Sequence, residues 1–359
     1  MHIGTESPAK QDGLWVLPGL AVEDYLSVCQ QRHPQLYRML RRPELIRRNI
    51  FQDYRRLSAA STHFEAKTEH GRGDSYRLAQ NERFMVRAEG FGRLYELAVP
   101  KDGIGTAELT VLDALGGNGT LTRIVQRTRS PHIPFIVTSD VSPSMIRDAL
   151  QQGLPAVREP IQDLYWFDDD TFDAAIVAYG THHILRPDRP SAFAEALRVL
   201  KPGGRIVVQD FETGSPTAHW YDEVLDRYTA TGHRFDHFTR GEVNALLKEA
   251  GFTNICVFES YDPFVIDAVD FESARRELLD YIFVLYGLDK LALKASETLA
   301  TFYDRLEEVV RATSVFANDS LPVRSGRVGE FSVSPVGDHF RAEVPRVCLV
   351  GIGQKPARW

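Results

Sequence analysis

The feature that most limits the possible fold is a regular alternation of short apolar segments and helical patterns between residues 108 and 260. The helical patterns are too long for hairpin turns, so consecutive strands need crossover connections. Such connections produce a parallel sheet covered by helices on both faces. We therefore predict an α/β fold with a doubly wound, mostly parallel sheet. The predicted strands are 109–114, 134–140, 156–161, 172–180, 205–211 and 253–260, and the predicted helices are 119–128, 143–153, 191–200, 217–231 and 239–250.

Segments outside this core, which we place at residues 108–265, are expected to form accessory pieces. Residues 1–107 contain short helical patterns interrupted by prolines, and we interpret them as an N-terminal helical cap. Residues 266–338 contain two long amphipathic patterns around Gly287, which predict a helical insertion or lid. Residues 339–359 supply an alternating and then apolar segment, which we interpret as the final core strand and tail.

Composition excludes several classes of protein. The 42 basic and 49 acidic residues give a net charge of -7, which offers no overall attraction to nucleic acid or to an anionic membrane. Three widely spaced cysteines fit neither a zinc site nor a disulfide scaffold, and the polar N-terminus does not resemble a secretion signal. We expect a cytoplasmic protein without nucleic-acid or membrane partners.

A glycine-rich turn follows the first predicted core strand, in the stretch TVLDALGGNGT at residues 110–120. Glycines directly after a buried strand let the backbone approach a ligand closely. Asp140 ends the next predicted strand, where a carboxylate can accept both hydroxyl groups of a ribose. The two features together indicate a nucleotide-like ligand at the carboxyl ends of the strands.

Four stretches carry a resemblance to a known family: VLDALGGNGT, SDVSPSMI, FDAAIVAYGTHHI followed by ALRVLKPGGRIVVQDF, and TRGEVNALLKEAGF. In order and spacing they resemble the class I S-adenosylmethionine-dependent methyltransferases, especially the small-molecule branch related to the ubiquinone and menaquinone methyltransferases. The resemblance covers residues 109–260. It implies a Rossmann-like sheet, S-adenosylmethionine as cofactor and methyl transfer to a small molecule, with a place in biosynthesis or secondary metabolism.

The resemblance also implies roles for single residues. Asp113 is expected to orient the turn and the methionine ammonium of the cofactor, and Asp140 to bind the ribose. Leu115 stands where the family has its first glycine, so its side chain must point away from the ligand or the cofactor must sit differently. Pro160 replaces an acid that often binds the adenine amino group, and Gln162 or Asp163 is the expected substitute. The implied cofactor-binding set is completed by Gly116, Gly117, Gly119, Val141, Met145, Ile161 and Tyr179.

Candidate catalytic residues lie in Tyr179-Gly180-Thr181-His182-His183, at the end of the fourth core strand. Histidine titrates near neutrality, so His182 or His183 is a candidate base, although one of them can instead close the loop by hydrogen bonding. Tyr179 is a candidate for cofactor contact or simply for packing, and Asp210 for either the substrate pocket or a turn cap. We expect no metal. The alternative metal site would need a further ligand, for which His219, His233 and His237 are available.

Other functions stay open. The same cofactor supports aminocarboxypropyl transfer or cyclisation of the methionine moiety, both of which release methylthioadenosine, and a non-catalytic scaffold can retain the fold. The aromatic residues of the insertion can roof a pocket, form a homodimer contact or fill their own core. Seven arginines near the N-terminus can attract an anionic or carrier-bound substrate or can simply face water: Arg38, Arg41, Arg42, Arg47, Arg48, Arg55 and Arg56.

Overall fold

The structure is a computed structural model that describes residues 15–17, 19–41, 72–99, 109–129, 133–230, 232–233, 235–313 and 329–357. Of the seven N-terminal arginines, Arg38 is exposed and Arg41 pairs with Asp168 at 3.1 Å. The other five, from Arg42 to Arg56, lie outside the described residues. The anionic-substrate interpretation of that cluster therefore stays a prediction.

The centre of the molecule is a seven-stranded sheet with the order β5-β4-β3-β6-β7-β12-β8. Strand β12 is antiparallel to both of its neighbours, and the other strands are parallel to one another. The predicted α/β class with a mostly parallel, Rossmann-like sheet is confirmed. The strands of this sheet are β3 (Thr110–Ala114), β4 (Phe135–Asp140), β5 (Ala156–Arg158), β6 (Phe172–Val177), β7 (Leu200–Asp210), β8 (Thr253–Tyr261) and β12 (Val347–Gln354).

Both faces of the inner strands β3 and β6 are buried, and these strands are nearly continuous apolar runs, whereas the edge strand β8 is partly exposed. Successive residues of β3 show the alternation, since Val111 belongs to one buried cluster and Leu112 to the other. The helices that cover the two faces are α1 (Val22–Arg32), α2 (Pro34–Met39), α3 (Arg72–Arg83), α4 (Ala88–Ala98), α5 (Thr120–Arg129), α6 (Pro143–Gln151), α7 (Arg189–Val199), α8 (Arg240–Ala250), α9 (Phe271–Tyr286) and α10 (Leu299–Thr313).

The N-terminal helices divide between the two faces of the sheet. Residues of α1 and α2 are buried with those of α6, α7 and α8, and the Tyr25 hydroxyl donates to the Ala156 carbonyl on β5 at 2.7 Å. Helices α3 and α4 lie on the opposite face with α5, α9 and α10. A short hairpin precedes them, formed by β1 (Trp15–Leu17) and β2 (Leu20–Ala21).

The two long helices around Gly287 are confirmed as α9 and α10. A small antiparallel sheet in the order β10-β11-β9 accompanies them. Its strands are β9 (Phe264–Ala268), β10 (Ser332–Val336) and β11 (His339–Val344). The expectation of one final strand was wrong in detail, because Pro345 and Arg346 interrupt it: β11 pairs with β9, whereas β12 enters the central sheet between β7 and β8. The domain boundaries stay predictions.

Candidate cofactor-binding and active site

A cavity of about 620 Å³ opens at the carboxyl ends of β3, β4 and β6. Strands β3 and β6 are neighbours at the point where the strand order reverses, which is where open α/β sheets bind ligands. The volume suits a drug-sized ligand. The lining residues are Tyr76, Phe91, Asp113, Leu115, Gly116, Gly117, Thr120, Asp140, Val141, Ser142, Met145, Pro160, Ile161, Gln162, Ala178, Tyr179, Gly180, His183, Ile184, Leu185, Asp188 and Phe235.

The turn after β3 is shaped by close backbone contacts. The Gly116 N–H donates to the Ser139 carbonyl at 3.0 Å, and a Cβ at Gly116 would lie 2.4 Å from Oδ2 of Asp113. Leu115 adopts a φ of 59°, a left-handed conformation that is uncommon for a branched side chain. Leu115 is one of the residues that line the cavity. The two expectations for Leu115, a side chain that points away from the ligand or a cofactor that sits differently, both stay predictions.

Asp113 is a buried acid whose Oδ2 has no hydrogen-bond partner among the described residues. Burial, followed by repulsion from the Asp140 carboxylate, raises the pKa of Asp113 to about 8. Such a carboxyl is poised for a cationic partner, because a positive group would compensate both effects. The position therefore suits an ammonium group bound in the cavity.

Asp140 closes β4 and holds the turn from the other side. Its Oδ2 accepts from the Gly117 N–H at 3.0 Å, and its Oδ1 accepts from the Ser142 N–H at 2.8 Å. Ser142 in turn begins α6, where its hydroxyl accepts from the Met145 N–H at 3.2 Å. These contacts fix the carboxylate at the rim of the cavity, where hydroxyl donors of a ligand can reach it.

Tyr179 is anchored at the end of β6 in a strained conformation, with a φ of 59°. Its hydroxyl donates to Oδ1 of Asp262 at 2.7 Å, and its N–H donates to Oε1 of Gln209 at 2.9 Å. The Arg87 guanidinium lies 3.9 Å from the centre of its ring, and Arg346 binds the other oxygen of Asp262 at 2.7 Å. This network favours a positioning role for Tyr179, with its ring forming one wall of the cavity.

His182 and His183 differ in their surroundings. His183 lines the cavity, whereas His182 is 2% exposed and its Nδ1 lies 3.0 Å from both oxygens of Asp210. Asp210 also accepts from the N–H groups of His182 and Phe211, at 2.6 and 2.7 Å. Of the two roles considered for Asp210, the substrate pocket and a turn cap, the structure supports the cap. The carboxylate binds backbone N–H groups at the strand end and also holds the His182 ring.

Two further histidines join this pair. His233 Nε2 lies 3.1 Å from His182 Nε2, and the ring of His237 lies 5.5 Å from that of His182. His219, by contrast, is exposed on the helix at Pro216–His219. Of the three extra histidines that the sequence offered, the structure gathers His233 and His237 around His182.

Comparison with known proteins shows which proteins part of this chain resembles. Residues 112–208 match the family model described as a methyltransferase domain. The ubiquinone/menaquinone biosynthesis C-methyltransferase of Marinomonas sp. (strain MWYL1) is 34% identical over 126 residues, covering 33% of this chain and 48% of that protein. The demethylmenaquinone methyltransferase of Clavibacter sepedonicus is 32% identical over 145 residues, covering 39% and 56%. The chain thus spans about half the length of these curated relatives.

Solved structures of methyltransferases also align with this chain, at low sequence identity. The phosphoethanolamine N-methyltransferase 2 of Haemonchus contortus, in complex with phosphomonomethylethanolamine and S-adenosylhomocysteine, aligns with a TM-score of 0.49 and 16% identity. The alignment covers 82% of this chain and 59% of that one.

Residues 112–208 of this chain thus match a methyltransferase domain, in agreement with the resemblance to the class I S-adenosylmethionine-dependent methyltransferases. The family resemblance is confirmed, and S-adenosylmethionine is the cofactor that such a domain takes. The cavity of the methyltransferase domain brings together most of the residues that the sequence assigned to cofactor binding. They are Asp113, Leu115, Gly116, Gly117, Asp140, Val141, Met145, Ile161, Gln162 and Tyr179.

Three of the assigned residues do not line the methyltransferase cavity: Gly119, Asp163 and His182. Gly119 has a φ of +79°, and a Cβ there would lie 2.4 Å from Leu154, so its position serves close packing. The roles of all these residues stay predictions.

Sequence reasoning missed the cavity residues that come from the N-terminal helices, Tyr76 on α3 and Phe91 on α4. In the sequence they are aromatic residues within a helical pattern, and this pattern does not distinguish cavity residues from core residues. The expected lid did not predict them either. Among the described residues of 266–338, none lines the cavity, and Tyr281, Tyr286, Phe302 and Tyr303 are buried in the core.

Membrane insertion finds no support in the helices. Within the described ranges, no helix combines the length and apolar character that crossing a bilayer requires.

Proposed function

We propose that the chain is an S-adenosylmethionine-dependent methyltransferase whose acceptor is a small molecule with an apolar or aromatic body. The observation that carries this proposal is the composition of the cavity. Its lining includes Asp113, Gly117 and Asp140, which suit the polar parts of the cofactor, together with the aromatic residues Phe91 and Phe235. A single cavity lined by both kinds of residue can hold cofactor and acceptor next to each other, as methyl transfer requires.

The curated relatives support a biosynthetic role. The name of the Marinomonas protein describes C-methylation in ubiquinone and menaquinone biosynthesis, and that of the Clavibacter protein describes methylation of demethylmenaquinone; these acceptors are small molecules. Because this chain spans about half their length, we carry over the class of acceptor and not the acceptor itself. A cytoplasmic location remains part of the proposal, and it agrees with the three free cysteines.

His183 is the proposed base where the acceptor must lose a proton, since it lines the cavity beside Phe235. Tyr179 is proposed to form the wall and to hold the geometry of the strand end. The enclosure helps the reaction, because excluding water favours the loss of the sulfonium charge during methyl transfer.

The first test is calorimetric titration with S-adenosylmethionine of the purified wild-type protein and of two variants. Asp140→Ala is expected to bind at least about 10-fold more weakly, because hydrogen bonds to a charged acceptor contribute about 1.5–3 kcal/mol each. Asp163→Ala is the matched control and is expected to bind like wild type, since Asp163 does not line the cavity. Unchanged affinity in a folded Asp140→Ala variant would refute the ribose assignment.

The second test identifies the reaction. The protein is incubated with S-adenosylmethionine and the low-molecular-weight fraction of a cell extract, and the products are analysed by mass spectrometry. S-Adenosylhomocysteine and a methylated small molecule are expected. An amount of methylthioadenosine above that formed by spontaneous decay of the cofactor would instead establish aminocarboxypropyl transfer or cyclisation. This chemistry is the second candidate because Leu115 lines the cavity.

A further inference from the structure

The histidines beside the cavity form a compact cluster that the proposed methyl transfer does not by itself require. Ring nitrogens of His182, His183 and His233 lie within 4.8 Å of one another. The three residues come from two separate places in the chain: His182 and His183 lie in a short 3-10 helix after β6, and His233 follows the helical segment at 216–228. Nitrogen atoms so close together suggest a shared ligand.

Asp210 determines how His182 presents its ring. The carboxylate accepts two backbone N–H groups and lies 3.0 Å from Nδ1 of His182, so this nitrogen carries the proton. A neutral imidazole then has a lone pair on Nε2, and that atom points at His233 Nε2. A carboxylate that holds the far nitrogen of a histidine is the usual partner of a metal-binding imidazole.

The distance between the two Nε2 atoms also fits a common metal. Zinc–nitrogen bonds of about 2.0–2.1 Å place two neighbouring ligand nitrogens about 2.8–3.4 Å apart, for angles between octahedral and tetrahedral. The observed separation is 3.1 Å. An N–H···N hydrogen bond satisfies the same distance for this pair, and the His183 ring packs 4.3 Å from the rings of His182 and Phe235.

We propose that His182, His183 and His233 bind one divalent transition-metal ion, with Asp210 as the residue that positions His182. In a protein that holds the ion, His183 serves as a ligand instead of as the base. His182 and His233 line a second cavity of about 390 Å³, His183 lines the cofactor cavity, and Phe235 borders both. The ion therefore lies between the two spaces. Three protein ligands leave a position open, as in catalytic metal sites.

The open position narrows the class of acceptor, and this step rests on the proposed methyltransferase function. A metal ion held by imidazoles takes an oxygen donor as its next ligand and makes a hydroxyl, phenol or enol group more acidic. The acceptor is thus a small molecule that carries such an oxygen at or next to the methylated atom. An acceptor lacking such an oxygen gains nothing from the ion.

The alternative ligand set of His182, Asp210 and His237 is less suitable. Both oxygens of Asp210 already lie near N–H donors, and the carboxylate is needed to hold His182. Nε2 of His237 lies 3.6 Å from Oδ1 of another carboxylate, that of Asp222. Substituting His233 and His237 separately distinguishes the two sets.

The test is calorimetric titration of chelator-treated protein with Zn²⁺, and visible absorption after addition of Co²⁺. One ion per chain is expected, with Co²⁺ bands of a nitrogen-bound site. His182→Gln and His233→Gln are expected to weaken Zn²⁺ binding by more than about 100-fold, because loss of a ligand exceeds the 10–100-fold cost of losing an outer partner. His237→Gln and the exposed control His219→Gln are expected to bind like wild type.

Wild-type protein that binds no stoichiometric ion, or a folded His233→Gln variant that keeps wild-type affinity, overturns the proposal. Near-UV circular dichroism establishes whether each variant is folded, and His233→Gln carries the test if His182→Gln is not. Each variant is also titrated with S-adenosylmethionine, whose binding is expected to be unchanged. Loss of Zn²⁺ binding with normal cofactor binding separates this proposal from the proposed function.

Discussion

At the scale of single residues, the burial of Asp113 links the cofactor site to pH. The folded protein holds the pKa of Asp113 at about 8, while an unfolded chain has the ordinary value of about 3.9. Between these values the folded state retains a proton that the unfolded state has lost. The contribution of Asp113 to the free energy of unfolding therefore falls as the pH rises, by at most about 1.4 kcal/mol per pH unit.

Asp113→Asn is expected to remove this fall, because an amide does not titrate. Without cofactor, the variant should melt at a higher temperature than wild type at pH 8, and the difference should shrink toward pH 5. With S-adenosylmethionine the order should reverse, since the amide cannot pair with the ammonium group. Thermal unfolding at several pH values, with and without cofactor, measures both effects. Parallel pH profiles for the two proteins would contradict the raised pKa.

The residues that were predicted at this scale are those whose position follows from local sequence. Asp113 and Asp140 were assigned because they end apolar strands of a parallel sheet, and the carboxyl ends of such strands meet at one edge. The orientation of Leu115 could not be assigned in the same way. It depends on a left-handed backbone conformation, which the sequence does not predict for a leucine.

At the scale of elements, helix α4 is fitted against the end of β6 through a glycine. A Cβ at Gly90 would lie 1.8 Å from Oδ1 of Asp262 and 2.6 Å from the Tyr179 hydroxyl. No side chain fits there unless the Tyr179–Asp262 hydrogen bond gives way. Since Tyr179 and Phe91 both line the cavity, this contact joins the packing of α4 to the shape of the site.

Gly90→Ala is expected to destabilise the protein by about 1–3 kcal/mol, the usual cost of overpacking, and to weaken cofactor binding. Gly92→Ala on the same helix is the matched control, because no other atom lies within 4 Å of its Cβ position. This control should stabilise the protein by about 0.5–1 kcal/mol through its higher helix propensity. Denaturant unfolding measures both values; a destabilisation shared by the two variants would show that the helix, rather than the contact, is responsible.

Elements with strong periodicity were predicted well, and irregular ones were not. The segment predicted as one helix over 217–231 contains a π-helical stretch at Trp220–Leu225, which brings Tyr221 against Phe211 and His233. Such a stretch depends on side-chain packing across the molecule. The contacts of α3 and α4 with the cavity are likewise tertiary, so Tyr76 and Phe91 had no local signal.

At the scale of the whole molecule, the last strand of the central sheet is far in sequence from the two strands beside it. Strand β12 follows the insertion and pairs on one side with β7 and on the other with β8. The apolar pattern of this strand was visible in the sequence. Its place between β7 and β8 depends on pairing with strands that precede it by more than eighty residues in the sequence. Periodicity alone does not specify such pairing.

A chain that ends at Val344 is expected to lose cooperative folding, because it lacks β12. Val347, Leu349 and Val350 are each at most 6% exposed, and their burial contributes about 5–9 kcal/mol together. That amount is comparable with the whole stability of a typical domain, about 5–15 kcal/mol, before the lost strand pairing is considered. A chain that ends at Lys355 keeps β12 and is the control. Calorimetric unfolding of both proteins measures the effect; a cooperative transition in the shorter chain would show that the sheet is stable without its central antiparallel strand.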